Sequence, residues 1–242
     1  GIAKKFCEGA KMRYLPLALA LICAPSIAAD KGDFARFERA LNDTPYGYPM
    51  VDDPAGVGQV ERFEVRAGDC GVNGAWSDCR EDRERSELSE FDSRSPDGAE
   101  AWYGFSVYIP PDWPDVWPTK TVIAQWHQTR SHPVWMIRTH RGALVLDNQS
   151  TGRSVERVEL IGADALRGIW RRIELQAKWS TGADGLIRLY VDGALMVERR
   201  GRNMTAEEVY FRYGVYRSFI SRHGQPVPTQ VAYFKGVSKA AT

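Results

Sequence analysis

Three short segments, far apart in the chain, carry side chains able to do acid–base chemistry on a charged substrate. They are Arg83-Glu84-Arg85-Ser86-Glu87-Leu88, Gln125-Trp126-His127 and Tyr210-Phe211-Arg212-Tyr213-Gly214-Val215-Tyr216. Arginine and glutamine can both donate to a carboxylate, the first with charge and the second without. Histidine and tyrosine can take and give protons. Together these types suit removal of a proton from the carbon beside a carboxylate. That proton is barely acidic, because its loss loads more negative charge onto the carboxylate, which must therefore be neutralised first. In a uronic acid the same reaction expels a glycosidic oxygen by elimination, and the departing oxygen needs an acid.

The elements that must position these residues read as strands, in which alternate residues share a face. Arg83, Arg85 and Glu87 then point one way, and Glu84, Ser86 and Leu88 the other. In residues 121–128, Ile123, Gln125 and His127 oppose Val122, Ala124 and Trp126. In residues 210–216, Phe211, Tyr213 and Val215 suit the core, leaving Tyr210, Arg212, Gly214 and Tyr216 opposite, with Gly214 giving a ligand room to approach. Arg85 and Gln125 would address the carboxylate, and His127 and Tyr216 would share the proton transfers in either order. A tyrosine base must ionise well below its usual pKa of about 10, which nearby cations such as Arg85 or Arg212 would favour. Each residue also has a plainer reading: Arg85 and Glu87 as a surface ion pair, His127 as a histidine at a sheet end, Tyr216 as an amphipathic aromatic.

Alternation dominates the rest of the chain. Residues 102–109 place Tyr103, Phe105, Val107 and Ile109 on one face before Pro110-Pro111, and residues 170–179 alternate Ile173, Leu175, Ala177 and Trp179 with polar residues. Residues 186–198 read as a hairpin turning at Asp192-Gly193. Helical candidates are few: residues 34–41, residues 163–167, and a turn at 205–208 that Thr205 could cap. The expected class is all-β, a two-sheet antiparallel sandwich of the jelly-roll type. Residues 42–58, rich in Pro, Gly and Asp, read as a loop packed near the sheet.

Met12-Arg13-Tyr14, the apolar run from Leu15 to Ala24 and Ser26-Ile27-Ala28-Ala29 read as a secretory signal. The run is shorter than the ~20 residues of a spanning helix, so no permanent membrane anchor is expected. Residues 1–29 are thus taken as an upstream extension and leader, and residues 30–242 as one domain. Removing residues 1–28 subtracts Lys4, Lys5, Lys11 and Arg13 from 32 basic residues and Glu8 from 31 acidic ones, turning a net charge of +1 into −2. That balance argues against a nucleic-acid binder but permits a local basic groove for an anionic ligand. Cys70 and Cys79 suit a loop-closing disulfide in an oxidising compartment. No His or Cys spacing indicates a catalytic metal, and a structural calcium is left open.

The three segments resemble the motifs R[ST]E, Q[IV]H and YFKxGxY of alginate lyases built on a β-jelly-roll. Residues 102–110, Lys178-Trp179-Ser180 and Tyr190-Val191-Asp192-Gly193 look most like the glucuronan lyase and heparinase I-like branch, and the similarity runs from about Glu61 to Gly236. The resemblance implies that Arg85 and Gln125 neutralise the substrate carboxylate and that His127 and Tyr216 handle protons. Arg83, Glu87, Arg138, His140, Lys178 and Arg212 are expected to line the substrate groove. Trp126, Arg212, Ser89 and Arg217-Ser218 depart from the alginate pattern, so a glucuronate-containing polymer is favoured over alginate or a glycosaminoglycan. The expected protein is a secreted, monomeric lyase without a cofactor, periplasmic or extracellular. A glycoside hydrolase would need two facing carboxylates, which Glu87 and Glu90, three apart, do not offer. A noncatalytic sugar-binding sandwich is the other rival, on the strength of eight tryptophans.

Overall fold

The computed structural model describes residues 31–150 and 155–241; the proposed leader lies outside them. The chain begins with β1 (Arg36–Arg39), β2 (Met50–Asp52), β3 (Gln59–Val65), β4 (Val72–Asn73) and β5 (Trp76–Ser77). It continues through β6 (Arg83–Phe91), β7 (Ser95–Pro96), β8 (Glu100–Tyr108), β9 (Lys120–Gln128), β10 (Trp135–His140) and β11 (Ala143–Asn148). After β12 (Glu156–Ile161) come the one-turn helix α1 (Ala163–Leu166), β13 (Trp170–Lys178), β14 (Leu186–Val191) and β15 (Ala194–Arg200). The last strands are β16 (Glu208–Ser218) and β17 (Gln230–Ala241), with a 3₁₀ turn at Ile220–His223 between them.

Two antiparallel sheets form the sandwich, ordered β1-β6-β16-β9-β10-β11-β12 and β15-β14-β13-β8-β17-β3-β2. Their inner faces interdigitate around Phe63, Tyr103, Phe105, Trp126, Trp179, Phe211, Tyr213 and Phe234, all essentially inaccessible. The expected all-β jelly-roll class is therefore what the chain adopts. The Asp192-Gly193 hairpin forms with φ of 50° and 82°, the pair of positive values a tight turn between twisted strands requires.

Two helical expectations fail. Residues 36–39 pair with β6 as an edge strand, Arg36 opposite Phe91 and Arg39 opposite Leu88, which carries Phe37 against the aromatic core. Thr205 caps no helix, because the Oε1 of Gln128 captures the backbone N–H groups of both Thr205 and Ala206. A buried amide on β9 thus outcompetes local helix formation.

The strand parity also needs one correction. Against β10, Ala124 lies opposite Ile137 and Val122 opposite Arg138, so Ile123 is an extra residue of β9 there; against β16, Ala124 lies opposite Tyr213 and Val122 opposite Tyr216, so Gly214 and Val215 together face Ile123. This bulge sends both Ile123 and Ala124 inward and turns Val122 to the face of Gln125 and His127. Gly214 differs from expectation too. Its φ is 133°, and a Cβ there would meet the Ser86 carbonyl, lie 2.8 Å from Phe63 Cδ1 and 2.9 Å from the Glu87 Cα. The glycine serves close strand packing toward the core rather than ligand access. Gly214→Ala should therefore destabilise the fold by roughly 3 kcal/mol, through strained φ and overpacking, read as a lowered denaturation midpoint.

Candidate active site

β6, β16 and β9 are neighbours, and their register assembles the three segments. Arg85 lies opposite Tyr216, Glu87 opposite Gly214, Arg212 opposite Gln125 and Tyr210 opposite His127. Directly opposed residues share a face. The outer face of this sheet holds an open cavity of about 590 Å³ whose lining includes Arg83, Arg85, Gln125, His127, Arg212 and Tyr216.

Glu87 organises the floor. Its carboxylate accepts from Arg85 Nη1 at 3.1 Å, from Gln125 Nε2 and from Arg212 Nη1 at 3.4 Å. Only 1% exposed, it underlies the cavity without lining it, so the sequence expectation of a substrate contact becomes an anchor for three donors. Arg85 also donates through Nε and Nη2 to Asp78, at 2.6 and 2.8 Å. Burial opposes its charge, but Glu87 and Asp78 outweigh burial and hold its pKa above the ordinary value. Three of its five N–H groups are committed and two remain.

His127 and Tyr216 sit in contrasting environments. The Nδ1 of His127 lies 2.8 Å from the Gln128 carbonyl, so that nitrogen carries the proton and Nε2 keeps a free lone pair. Burial, reinforced by the Arg212 cation, pushes the imidazole pKa down to about 3, so it is neutral. The ring packs on Tyr210, centroids 5.1 Å apart. Tyr216 accepts from Arg83 Nε at 2.6 Å and lies under the Arg85 guanidinium, 4.5 Å from the ring centroid. Burial raises its pKa above 10 despite the opposing pull of Arg85 and Arg83, so the phenol stays protonated. The expectation of a tyrosine ionised by its cationic neighbours is not met.

Other groove expectations divide. Arg138 and His140 lie on the same sheet but do not line the cavity: Arg138 is tied to Asp147 at 2.5 Å, and His140 approaches Arg157 at 3.3 Å. Lys178 belongs to β13 in the opposite sheet and pairs with Asp184 at 2.8 Å, so it is not brought to the site. Of the departures from the alginate pattern, Trp126 is core and Arg217 faces inward to Glu84, which leaves Ser89, Arg212 and Ser218 on the outer side. Glu90 faces inward to Lys239 and the Phe211 amide, so it forms no carboxylate pair with Glu87 across the groove.

Sequence reasoning missed Asp78 and Trp76. Both lie in the loop closed by the Cys70–Cys79 disulfide, which forms as expected with Cα atoms 5.2 Å apart. An acidic residue beside the second cysteine, in a loop leading straight into the arginine segment, was the available signal. Arg130 and His132 also line the cavity from the turn after β9. Among the described residues no group of three His, Cys, Asp or Glu side chains is placed to hold a metal, and no helix is long and apolar enough to cross a membrane.

Solved structures with this fold include an endo-β-1,4-glucuronan lyase from the fungus Trichoderma reesei, with 18% identity, a TM-score of 0.63, and 86% of this chain and 95% of that one covered. An alginate lyase of polysaccharide lyase family 7 gives 17% identity and a TM-score of 0.64, covering 88% and 98%. The alginate lyase from Corynebacterium sp. gives 18% and 0.61, covering 88% and 96%. No curated protein sequence matches. The polysaccharide lyase family model matches residues 29–238, nearly the whole sandwich with every residue of the groove, and the chain belongs to that family as a polysaccharide lyase.

Proposed function

We propose that this protein cleaves a uronate-containing polysaccharide by β-elimination, leaving an unsaturated uronide at the new end. The observation that carries the reading is the pairing of a neutral His127, its Nε2 free, with a protonated Tyr216 across one cavity. The substrate carboxylate would sit against the spare N–H groups of Arg85 and Gln125, whose positions Glu87 already sets. Around it stand the guanidiniums of Arg83, Arg85, Arg130 and Arg212, which outnumber the carboxylates of Asp78 and Glu87 and leave a positive surround suited to a uronate.

In this reading His127 Nε2 removes the proton beside the carboxylate, and electrons flow to expel the glycosidic oxygen. Tyr216 protonates the oxygen as it leaves. A base whose free-state pKa is about 3 is weak, but Arg212 contributes to that value. The incoming carboxylate offsets this field and strengthens the base when substrate is present. Side chains alone supply the charge neutralisation and proton transfers, so the reaction calls on no cofactor.

A glucuronan-like polymer is the favoured substrate, supported by Ser89 and Arg212 on the outer face where alginate-type motifs differ. The disulfide suits a periplasmic or extracellular location. Incubation with glucuronan, alginate and glycosaminoglycans should give ultraviolet-absorbing product with at least one; reducing ends without unsaturation would overturn the elimination.

Tyr216→Phe and His127→Ala should each lower kcat by about 10²-fold or more, while calorimetry still detects substrate binding. A fully active Tyr216→Phe would remove the assigned acid. The acid limb of kcat/KM should show no inflection between pH 5 and 7, where an ordinary histidine would titrate. Lowering pH inactivates the base only when Nε2 is protonated, which the depressed pKa postpones to about 3.

A further inference from the structure

Lys120 begins β9, beside the cavity lining, and makes no carboxylate hydrogen bond among the described residues. It lies opposite Ser218, which itself lies opposite Arg83, so it shares the outer face with the catalytic groups. Its Nζ approaches the Sδ of Met136 at 3.2 Å, and Met136 lies directly opposite Gln125. The ammonium head is therefore held one strand beyond the residue assigned to the substrate carboxylate. Asp147, the carboxylate that faces it, is already engaged by Arg138 at 2.5 Å and Arg157 at 2.7 Å.

A half-buried ammonium against a thioether, with Arg138, Arg157 and Arg83 around it, is electrostatically unfavourable without an anion. Burial first, then Arg138, push its pKa down to about 8. Packing alone does not call for a charge here, since a methionine would fill similar space beside Met136.

We propose that Lys120 forms a second anion subsite, taking the carboxylate of the uronate that neighbours the one being cleaved. The inference rests on the uronate reading of the groove and adds to it a preference for consecutive acidic sugars. A polymer with neutral sugars between its uronates would leave the subsite unfilled. Lys120 touches no reacting atom in this scheme, so its contribution falls on binding.

The test compares wild type with Lys120→Met and Lys120→Arg on the uronate polymer that the wild type cleaves. Lys120→Met should raise KM about tenfold, with kcat within twofold and an unchanged melting temperature. Lys120→Arg should restore most of the loss. An oligosaccharide too short to carry the neighbouring uronate should show no difference between the chains. Unchanged KM for Lys120→Met on polymer overturns the subsite, as does a loss that tracks a lowered melting temperature and is not rescued by arginine. If wild type releases no unsaturated product from any uronate polymer, the elimination reading fails by itself. Calorimetry with uronate oligosaccharides then still decides on Lys120, because equal affinity, or absence of binding, in wild type and Lys120→Met would overturn its role.

Discussion

The site depends on the buried carboxylate of Glu87. It accepts hydrogen bonds from Arg85 on its own strand, from Gln125 on β9 and from Arg212 on the intervening β16. A carboxylate removed from water is costly unless donors replace the lost hydration. Here the replacement donors are the groups expected to meet the substrate. Satisfying Glu87 therefore fixes the direction of three flexible side chains before substrate arrives, which reduces the ordering cost at the moment of binding. Asp78 does the same from the other side of Arg85, and the disulfide loop that carries it ties the first wall of the groove to its floor.

The sheet supplies the remaining precision through an irregularity. The extra residue at Ile123 changes the register of β9 between Val122 and Ala124, so the strand offers the core two consecutive residues while Gln125 and His127 stay on the groove side. Across β16 the same region contains Gly214, whose φ of 133° lets the strand pass close to Phe63 and β6. Tyr216 emerges two residues later with its ring under Arg85. A regular ladder would aim the neighbouring positions differently, and a bulge beside a reacting group is a known way to re-aim one side chain without altering the sheet around it.

Alternation made much of this visible in the sequence. Period-two patterning placed Arg85, Gln125, His127, Arg212 and Tyr216 on one side because each alternates with a residue the core needs, such as Phe211 or Tyr213. What escaped is what local pattern does not encode. The bulge at Ile123 depends on partners on two other strands. Lys178 has a polar alternating context like that of a groove residue, but strand order puts it in the opposite sheet. Residues 36–39 have no strong pattern of their own and become a strand because β6 offers them an edge. Glu87 looked like a ligand contact from its face alone; its depth beneath three donors is a property of packing. Trp126 and Arg217 counted among the departures from the alginate pattern that bore on substrate choice, whereas one fills the core and the other neutralises Glu84 inside it.

A nearly neutral chain can still present a positive groove, as the proposed polyanionic substrate requires, because its charges are sorted locally. Most surface cations have carboxylate partners, as in Arg188 with Glu198 and Arg199 with Glu156, and contribute little net field. In the groove the arginines outnumber the carboxylates that hold them. The same excess positive charge acts on His127, helping burial to keep the imidazole neutral and its Nε2 available. Binding and base strength are thereby linked: the field that attracts a carboxylate also weakens the base, and the arriving carboxylate cancels part of that field. Under the proposed elimination, the imidazole would become a stronger base when a uronate occupies the groove, and proton abstraction would be favoured where there is a substrate proton to remove.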